Sequence, residues 1–244
     1  MWDNPRLLNG AANFLLGVAA LLLAYAGLQL LLRSPLLRLR EIALQGPLKN
    51  VARADIESAV QGSGGNFFAA DLGAVRSRFE RVPWVRRVEV RRVWPDRIEV
   101  RLEEHVALAR WSDAGLVNTF GEAFAAPMEE DSEARLPMFA GPAGSAGELT
   151  RRYRRFAELL APLGEAPERV TLTARHAWQL RLASGLSLEL GRDGAEAVEQ
   201  RFARFVAAWP ESLGRLPQRA GSEPRYVDLR YPNGFALRVA QWKG

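Results

Sequence analysis

Apolar and polar positions follow three different patterns along this chain, and each pattern predicts a different kind of element. The first is an unbroken apolar run, Ala11–Leu32, with 22 residues, no charge, and only Asn13 and Gln29 as polar members. Wound as a helix at ~1.5 Å per residue it reaches roughly 33 Å, enough for a hydrocarbon layer of about 30 Å. A buried soluble helix of that length carries a polar stripe, and this one has none. The rival reading is a cleaved signal peptide, with Arg6 as the basic flank and Ala24-Tyr25-Ala26 as the cleavage site. The run continues through Leu28, Leu30, Leu31 and Leu32, which favours an uncleaved anchor.

The second pattern has helical spacing. Val51, Ile56, Ala59 and Val60 predict a short helix within Val51–Gln61, preceded by a strand through Leu39, Ile42 and Leu44 that stops at Gly46-Pro47. Asp71 stands where a helix cap is needed before Leu72, Val75, Phe79 and Val82, and Pro83 ends that helix. The third pattern has period two. Val88 and Val90 alternate with Glu89 and Arg91, and after Trp94-Pro95-Asp96, Ile98, Val100 and Leu102 alternate with Arg97, Glu99 and Arg101. This predicts a half-buried hairpin whose wet face pairs opposite charges across strands at roughly 0.2–1 kcal/mol each. The arginines from Arg86 to Arg101 are accounted for as that solvated face.

Beyond residue 106 the same two periods recur. Arg110-Trp111 and Leu116–Thr119 are short strand candidates. Ser145-Ala146-Gly147-Glu148 is a capping-box pattern before Leu149, Tyr153, Phe156, Leu159, Leu160 and Leu163, with Arg151, Arg152, Arg154 and Arg155 mostly on the far side. Trp178–Leu182 and Leu186–Leu190 flank Ser184-Gly185 as a hairpin. Asp193–Glu196 caps a helix bearing Val198, Phe202, Phe205, Val206 and Trp209. Tyr226–Arg230 and Phe235–Val239 flank Tyr231-Pro232-Asn233-Gly234, and Asn-Gly is a strong hairpin signal.

Composition narrows the chemistry. The 244 residues include 48% hydrophobic and 25% charged, ordinary for globular domains. With no cysteine there is no disulfide framework, thiolate metal site or cysteine nucleophile, and two histidines, His105 and His176, argue against a multi-histidine site. Neither histidine lies in a nucleophile motif. Ala143–Gly147 fails the G-x-S-x-G pattern, Gly62–Gly65 lacks the Lys-Ser/Thr of a phosphate loop, and Glu103-Glu104 and Glu129–Asp131 read as exposed charge. The expectation is a protein that is not an enzyme and has no cofactor and no metal. The net charge of +5 suits anionic lipid, nucleic acid or an acidic protein. No helix gathers the arginines for a groove, so nucleic acid is not expected. Arg33, Arg38 and Arg40 follow the apolar run and Arg6 precedes it, so flank charge leaves the topology open.

The order strand–helix–helix–strand–strand, with Phe67-Phe68 before Asp71 and with "PWVRRVEVRRVWPDRIEVRLEEHVALARW", resembles a POTRA domain of the FtsQ/DivIB family of bacterial division proteins. The stretches "LPMFAGPAGSAGE", "TARHAWQLRL", "LELGRD", "RFARFV" and "YVDLRYPNGFALR" resemble the β-domain of the same family, in its order and spacing. Val106, where many relatives carry Pro, and Pro232, at the last hairpin's tip, depart from the pattern. The fold class expected is α+β: a single N-terminal transmembrane helix, a POTRA domain (β-α-α-β-β), then a mixed α/β domain with a mainly antiparallel sheet. The resemblance implies a cytoplasmic tail at 1–10, the span at 11–32, POTRA at 36–104 and the β-domain at 106–244, with the bulk periplasmic and the protein in the inner membrane at the division septum. It implies a non-enzymatic scaffold that holds FtsB and FtsL through an edge strand of the β-domain, linking early and late division proteins for septal peptidoglycan synthesis. FtsK and other divisome proteins are implied partners of the POTRA domain and span. Arg175, Tyr226, Arg230, Tyr231, Asn233, Gly234 and Phe235 are the implied partner-binding residues. The alternative reading is a POTRA-type assembly module for translocating envelope proteins.

Overall fold

The computed structural model describes residues 5–33, 39–61, 66–68, 70–112, 115–194, 196–212, 224–231 and 234–239. The chain divides into two compact units, Met1–Glu104 and His105–Gly244.

The first unit opens with helix α1, Pro5–Arg33. Within it Asn9–Leu30 has a mean hydropathy of 1.9 and none of it is buried by protein, so it is one helix long and apolar enough to cross a membrane. Strand β1 (Glu41–Gln45), helices α2 (Arg53–Val60) and α3 (Leu72–Phe79), and strands β2 (Val85–Val93) and β3 (Arg97–Glu104) follow. Asp71 caps α3 as its position predicts, its Oδ1 accepting the N–H groups of Gly73 and Ala74 at 2.8 and 3.1 Å.

The sheet order is β1-β3-β2, with β1 parallel and β2 antiparallel to the central β3. Period two sends Ile98, Val100 and Leu102 to one face, where they meet Val75 and Phe79 of α3 and Ala59 of α2. The other face carries the charges. Arg91 stands opposite Glu99 in the register and holds it by bonds of 2.7 and 3.0 Å, while Arg97 pairs with Glu41 at 2.8 Å. Glu99 sits on the middle strand and is only 7% exposed, so pairing answers its desolvation. At the far end of β3 the Glu104 carboxylate accepts the N–H groups of Lys49, Asn50 and Val51 at 2.9, 3.1 and 3.0 Å.

The second unit contains β4 (Ala107–Trp111), β5 (Leu116–Asn118), β6 (Ala123–Phe124), α4 (Glu130–Ala134), β7 (Met138–Ala140), α5 (Ala146–Leu160), β8 (Pro167–Leu172), β9 (Trp178–Leu182), β10 (Ser187–Gly191), α6 (Val198–Ala208), β11 (Pro224–Asp228) and β12 (Ala236–Val239). Its nine strands form one sheet in the order β12-β11-β10-β9-β8-β7-β4-β5-β6. Hairpin neighbours are antiparallel, while β4–β7, β7–β8 and β10–β11 are parallel. Between the strands of these parallel pairs the chain passes through β5, β6 and α4, through α5, and through α6, respectively. The helices bury Phe156, Leu160, Phe202 and Phe205 among Trp178, Leu180, Leu188 and Val227. Phe156 is the hub, edge-on to Trp178 at 6.3 Å and to Phe202 at 5.0 Å.

Two local expectations are corrected. Ser145 is the N-cap residue of α5, but its hydroxyl donates to Pro142 O at 2.7 Å and caps no helix N–H; its φ of −83° and ψ of 0° lie outside the extended region where a cap side chain reaches forward. Arg152 is not part of a wet face. Its side chain is 16% exposed, pairs with Asp193 and Glu199 at 2.6 and 2.9 Å, and lies over the Trp178 ring at 5.2 Å, tying α5 to α6.

Phe156→Ala removes a ring with no exposed surface from this hub. The expected loss is about 3–5 kcal/mol, read from denaturant unfolding of the full chain in detergent followed by tryptophan fluorescence.

Candidate functional site

The candidate site is built on the last two strands. Along β11 and the two residues that follow it, period two sends Val227 and Leu229 into the core, at 0 and 2% exposure, and leaves Tyr226, Asp228 and Arg230 on the opposite side. The parallel register with β10 sets Tyr226 against Ser187 and Asp228 against Glu189, and Leu229 N–H donates to Glu189 O at 2.9 Å. Continued two residues further, Arg230 lies over Gly191. A Cβ at Gly191 would stand 2.9 Å from Arg230 Cγ, and the glycine's φ is +75°, so glycine there answers both space and backbone.

Asp228 fixes the arginine. Arg230 Nε donates to Asp228 Oδ1 at 2.9 Å, Nη2 donates to Oδ2 at 2.6 Å, and Arg230 N–H donates to Oδ1 at 3.0 Å. The Arg230 side chain is 59% exposed while the Asp228 side chain is 10% exposed. A long cation is thereby held in one orientation with a free rim toward solvent. The hydrogen bonds from the Arg230 guanidinium hold the Asp228 carboxyl below its usual range, against the opposing effect of burial. The same contact raises the already high Arg230. Burial raises the Tyr226 phenol, with Asp228 and Glu189 adding to it.

Arg230 lines one side of a cleft of about 630 Å³. Arg175 lies in the turn after β8, Arg192 follows β10, Arg201 comes from α6, and Glu189 supplies the acidic group. Thr173 shapes the turn by accepting Ala177 N–H on its hydroxyl at 3.0 Å. Arg201 is a strut, donating to Leu190 O and, at 3.2 Å, to Glu196 O. The structure therefore brings Arg175 and Arg230, 55 positions apart in sequence, to one basic cleft. Arg192, Arg201 and Gly191 escaped sequence reasoning: each sits just outside a periodic segment or on the polar side of a helix, where arginine is ordinary.

The other implied residues divide. Tyr231 is 54% exposed immediately beyond Arg230. Tyr226 is half-buried, with the Arg238 guanidinium 5.6 Å from its ring centre. Phe235 turns to the core, its ring edge-on to Phe205 at 5.2 Å. Gly234 is exposed, and an added Cβ there would meet nothing within 4 Å, so packing imposes no glycine. Asn233 and Pro232 lie outside the described residues. Strand β12 ends the sheet, and among the described residues β11 is its one partner. Its Ala236, Leu237 and Arg238 are exposed.

The histidines stand apart. His176 is in the exposed turn before β9 at φ +57°. His105 follows β3, stacks on Phe124 at 4.0 Å and meets the Asn118 amide through Nδ1 at 2.8 Å. Among the described residues no three His, Cys, Asp or Glu side chains gather as a metal site.

One apolar helix, a three-stranded βααββ unit and a second mixed-sheet unit with an open terminal hairpin define a single-pass, POTRA-containing membrane protein. A model described as "POTRA domain, FtsQ-type" matches residues 37–105, and one described as "Cell division protein FtsQ/DivIB, C-terminal" matches 109–230. The chain is 45% identical to the cell division protein FtsQ of Burkholderia pseudomallei, across 98% of this chain and 95% of that protein. It is 41% identical to that of Nitrosospira multiformis across 98% and 99%, and 36% identical to that of Escherichia coli across 82% and 72%. The chain belongs to the FtsQ/DivIB family of cell division proteins.

A carboxyl held low in the fold contributes stability that is fully present above its unfolded value and is lost as pH falls through the lower folded value. Asp228 accordingly adds an acid limb to stability that starts near the ordinary value of 3.8 and extends below it. The Asp228→Asn variant is expected to lose that limb in unfolding measured as a function of pH, with the remaining carboxylates unaffected.

Proposed function

We propose that this protein is a non-enzymatic scaffold of the divisome that captures the periplasmic segments of FtsB and FtsL at the outer edge of β12 and across the basic cleft. In this reading residues 1–10 are cytoplasmic, 11–32 cross the inner membrane, and the POTRA domain (36–104) and β-domain (106–244) are periplasmic at the septum. The POTRA domain and span take further division proteins such as FtsK, and the whole links early to late steps of septal peptidoglycan synthesis.

The observation that carries the reading is the strand left at the end of the sheet beside two presented side chains. An edge strand offers unpaired N–H and C=O groups, which recruit a partner strand by main-chain hydrogen bonding. Arg230 is pre-oriented by Asp228, so it loses little freedom when it meets a partner carboxylate. Tyr231, 54% exposed, offers an apolar face with a polar tip, a residue type enriched among binding hot spots. Strand addition also predicts a shallow dependence on salt, since main-chain bonds carry most of the affinity, whereas a purely basic surface predicts a steep one.

The test is binding of the detergent-solubilised full chain to the periplasmic segment of FtsB from the same organism. Saturable binding is expected, weakened by about 2 kcal/mol or more in Tyr231→Ala. A folded wild-type chain that shows no binding removes this edge from the interface, and a Tyr231→Ala variant with unchanged affinity removes Tyr231 from it.

A further inference from the structure

The POTRA unit carries a second exposed feature, at the opposite end of its central strand from Glu104. Trp94, at the tip of the β2–β3 hairpin, is 77% exposed, the most exposed large hydrophobic side chain outside α1 among the described residues. Phe68 is 51% exposed. Arg92 lies between the two in the fold: two residues before Trp94 on β2, its Nε donates to Phe67 O at 3.1 Å, and its Nη2 reaches Ala70 O at 2.6 Å and Phe68 O at 3.5 Å. These partners are neutral carbonyls. Arg40, Arg91 and Arg97 are matched by Asp96, Glu99 and Glu41, whereas Arg92 keeps its full charge among the described residues.

Chain topology says which end of the unit this is. Strands β1 and β3 run parallel from Glu41↔Arg97, and Arg40 N–H donates to Asp96 O at 2.9 Å. The hairpin tip is therefore fastened to the point where the chain arrives from α1. Arg40 lies seven residues beyond Arg33, the end of α1, so it stays within about 25 Å of the end of that helix even if the connection is fully extended. Exposed tryptophan and phenylalanine beside an unneutralised arginine is the side-chain set that settles at a bilayer's headgroup layer, where ring bodies meet acyl chains and guanidinium meets phosphate.

We propose that Trp94, Phe68 and Arg92 form a membrane-surface contact by which the POTRA unit rests on the headgroups of the leaflet that α1 leaves, with anionic phospholipid as the preferred ligand. The contact is independent of the β12 edge and of any partner bound there.

Fluorine NMR of the full chain, labelled with 5-fluorotryptophan and held in lipid nanodiscs, tests this. Trp94 is assigned as the resonance lost in Trp94→Phe, a conservative change at an exposed site. Trp84 is the internal reference: it precedes β2 at the other end of the same strand, about 30 Å away at ~3.3 Å per residue, and is 5% exposed. With gadolinium chelated on lipid headgroups, the Trp94 signal is expected to relax at least threefold faster than that of Trp84. The difference should shrink when phosphatidylglycerol is replaced by phosphatidylcholine. Equal relaxation of the two signals overturns the contact. A Trp94 rate unchanged between the two lipids overturns anionic lipid as its preferred ligand. A Trp94 fluorine shielded from water without headgroup relaxation shows a protein contact instead, and also overturns the proposal.

Discussion

An open β-sheet has two ends, and each end leaves a row of main-chain donors and acceptors that only water or another strand can satisfy. That constraint organises the second unit. At one end β6 has two residues, too short to template a partner. At the other, β12 extends over four residues and follows β11, which is joined in parallel to β10. A parallel junction needs a crossover connection, and the chain runs through α6 on the way. The helix that makes the junction topologically feasible also supplies Phe202 and Phe205 to the core and Arg201 to the cleft. Among the described residues, the outer position of β12, one wall of the basic cleft and part of the hydrophobic core therefore share one connection.

The residues beside that edge are not independent ornaments on it. Asp228 is buried only because it is paired, and Arg230 is oriented only because Asp228 is there. Gly191 lets the arginine's stem lie flat on β10. The same economy appears in the first unit, where Glu99 sits under Arg91 on the middle strand and Glu104 collects three main-chain N–H groups. The buried carboxylates Asp228 and Glu99, and the half-buried Glu104, are each matched to donors that fix their geometry, as removal of a charge from water demands.

Much of this was legible in the residues. The two-residue period from Val88 to Leu102 marked β2 and β3, Asp71 marked the start of α3, and Asn233-Gly234 flanked by alternating residues marked the last hairpin. These signals are local, so the sequence displays them directly. The strands β7 and β8 left no such trace: β7 has three residues and takes its place by parallel pairing with distant β4, and β8 has only Val170 and Leu172 as alternating aliphatic positions. Ser145 had a cap's identity but not its backbone conformation, and Arg152 had a surface residue's chemistry but an aromatic ring and two carboxylates around it. Of the site, Tyr231 and Arg230 could be singled out by family resemblance. The packing of Gly191 under Arg230 and the approach of Arg175 across the cleft depend on the register of β10 with β11 and on the turn after β8, which no stretch of sequence contains by itself.

The parallel pairing of β1 with β3 has a mechanical meaning. The chain enters the three-stranded sheet of the first unit at the start of β1 and leaves it at the end of β3, and these strands are neighbours. Tension between the apolar helix and the second unit would pull the two strands in opposite directions along their own axes. Every rung from Glu41↔Arg97 to Gln45↔Arg101 then bears load together, in shear, instead of opening one after another like a zipper. Glu104, bonded to the loop after β1, adds a clamp at the far end of the same seam. A fold whose two exits lie on adjacent parallel strands is in this sense a tether as well as a module, built to keep its shape while its ends are drawn apart.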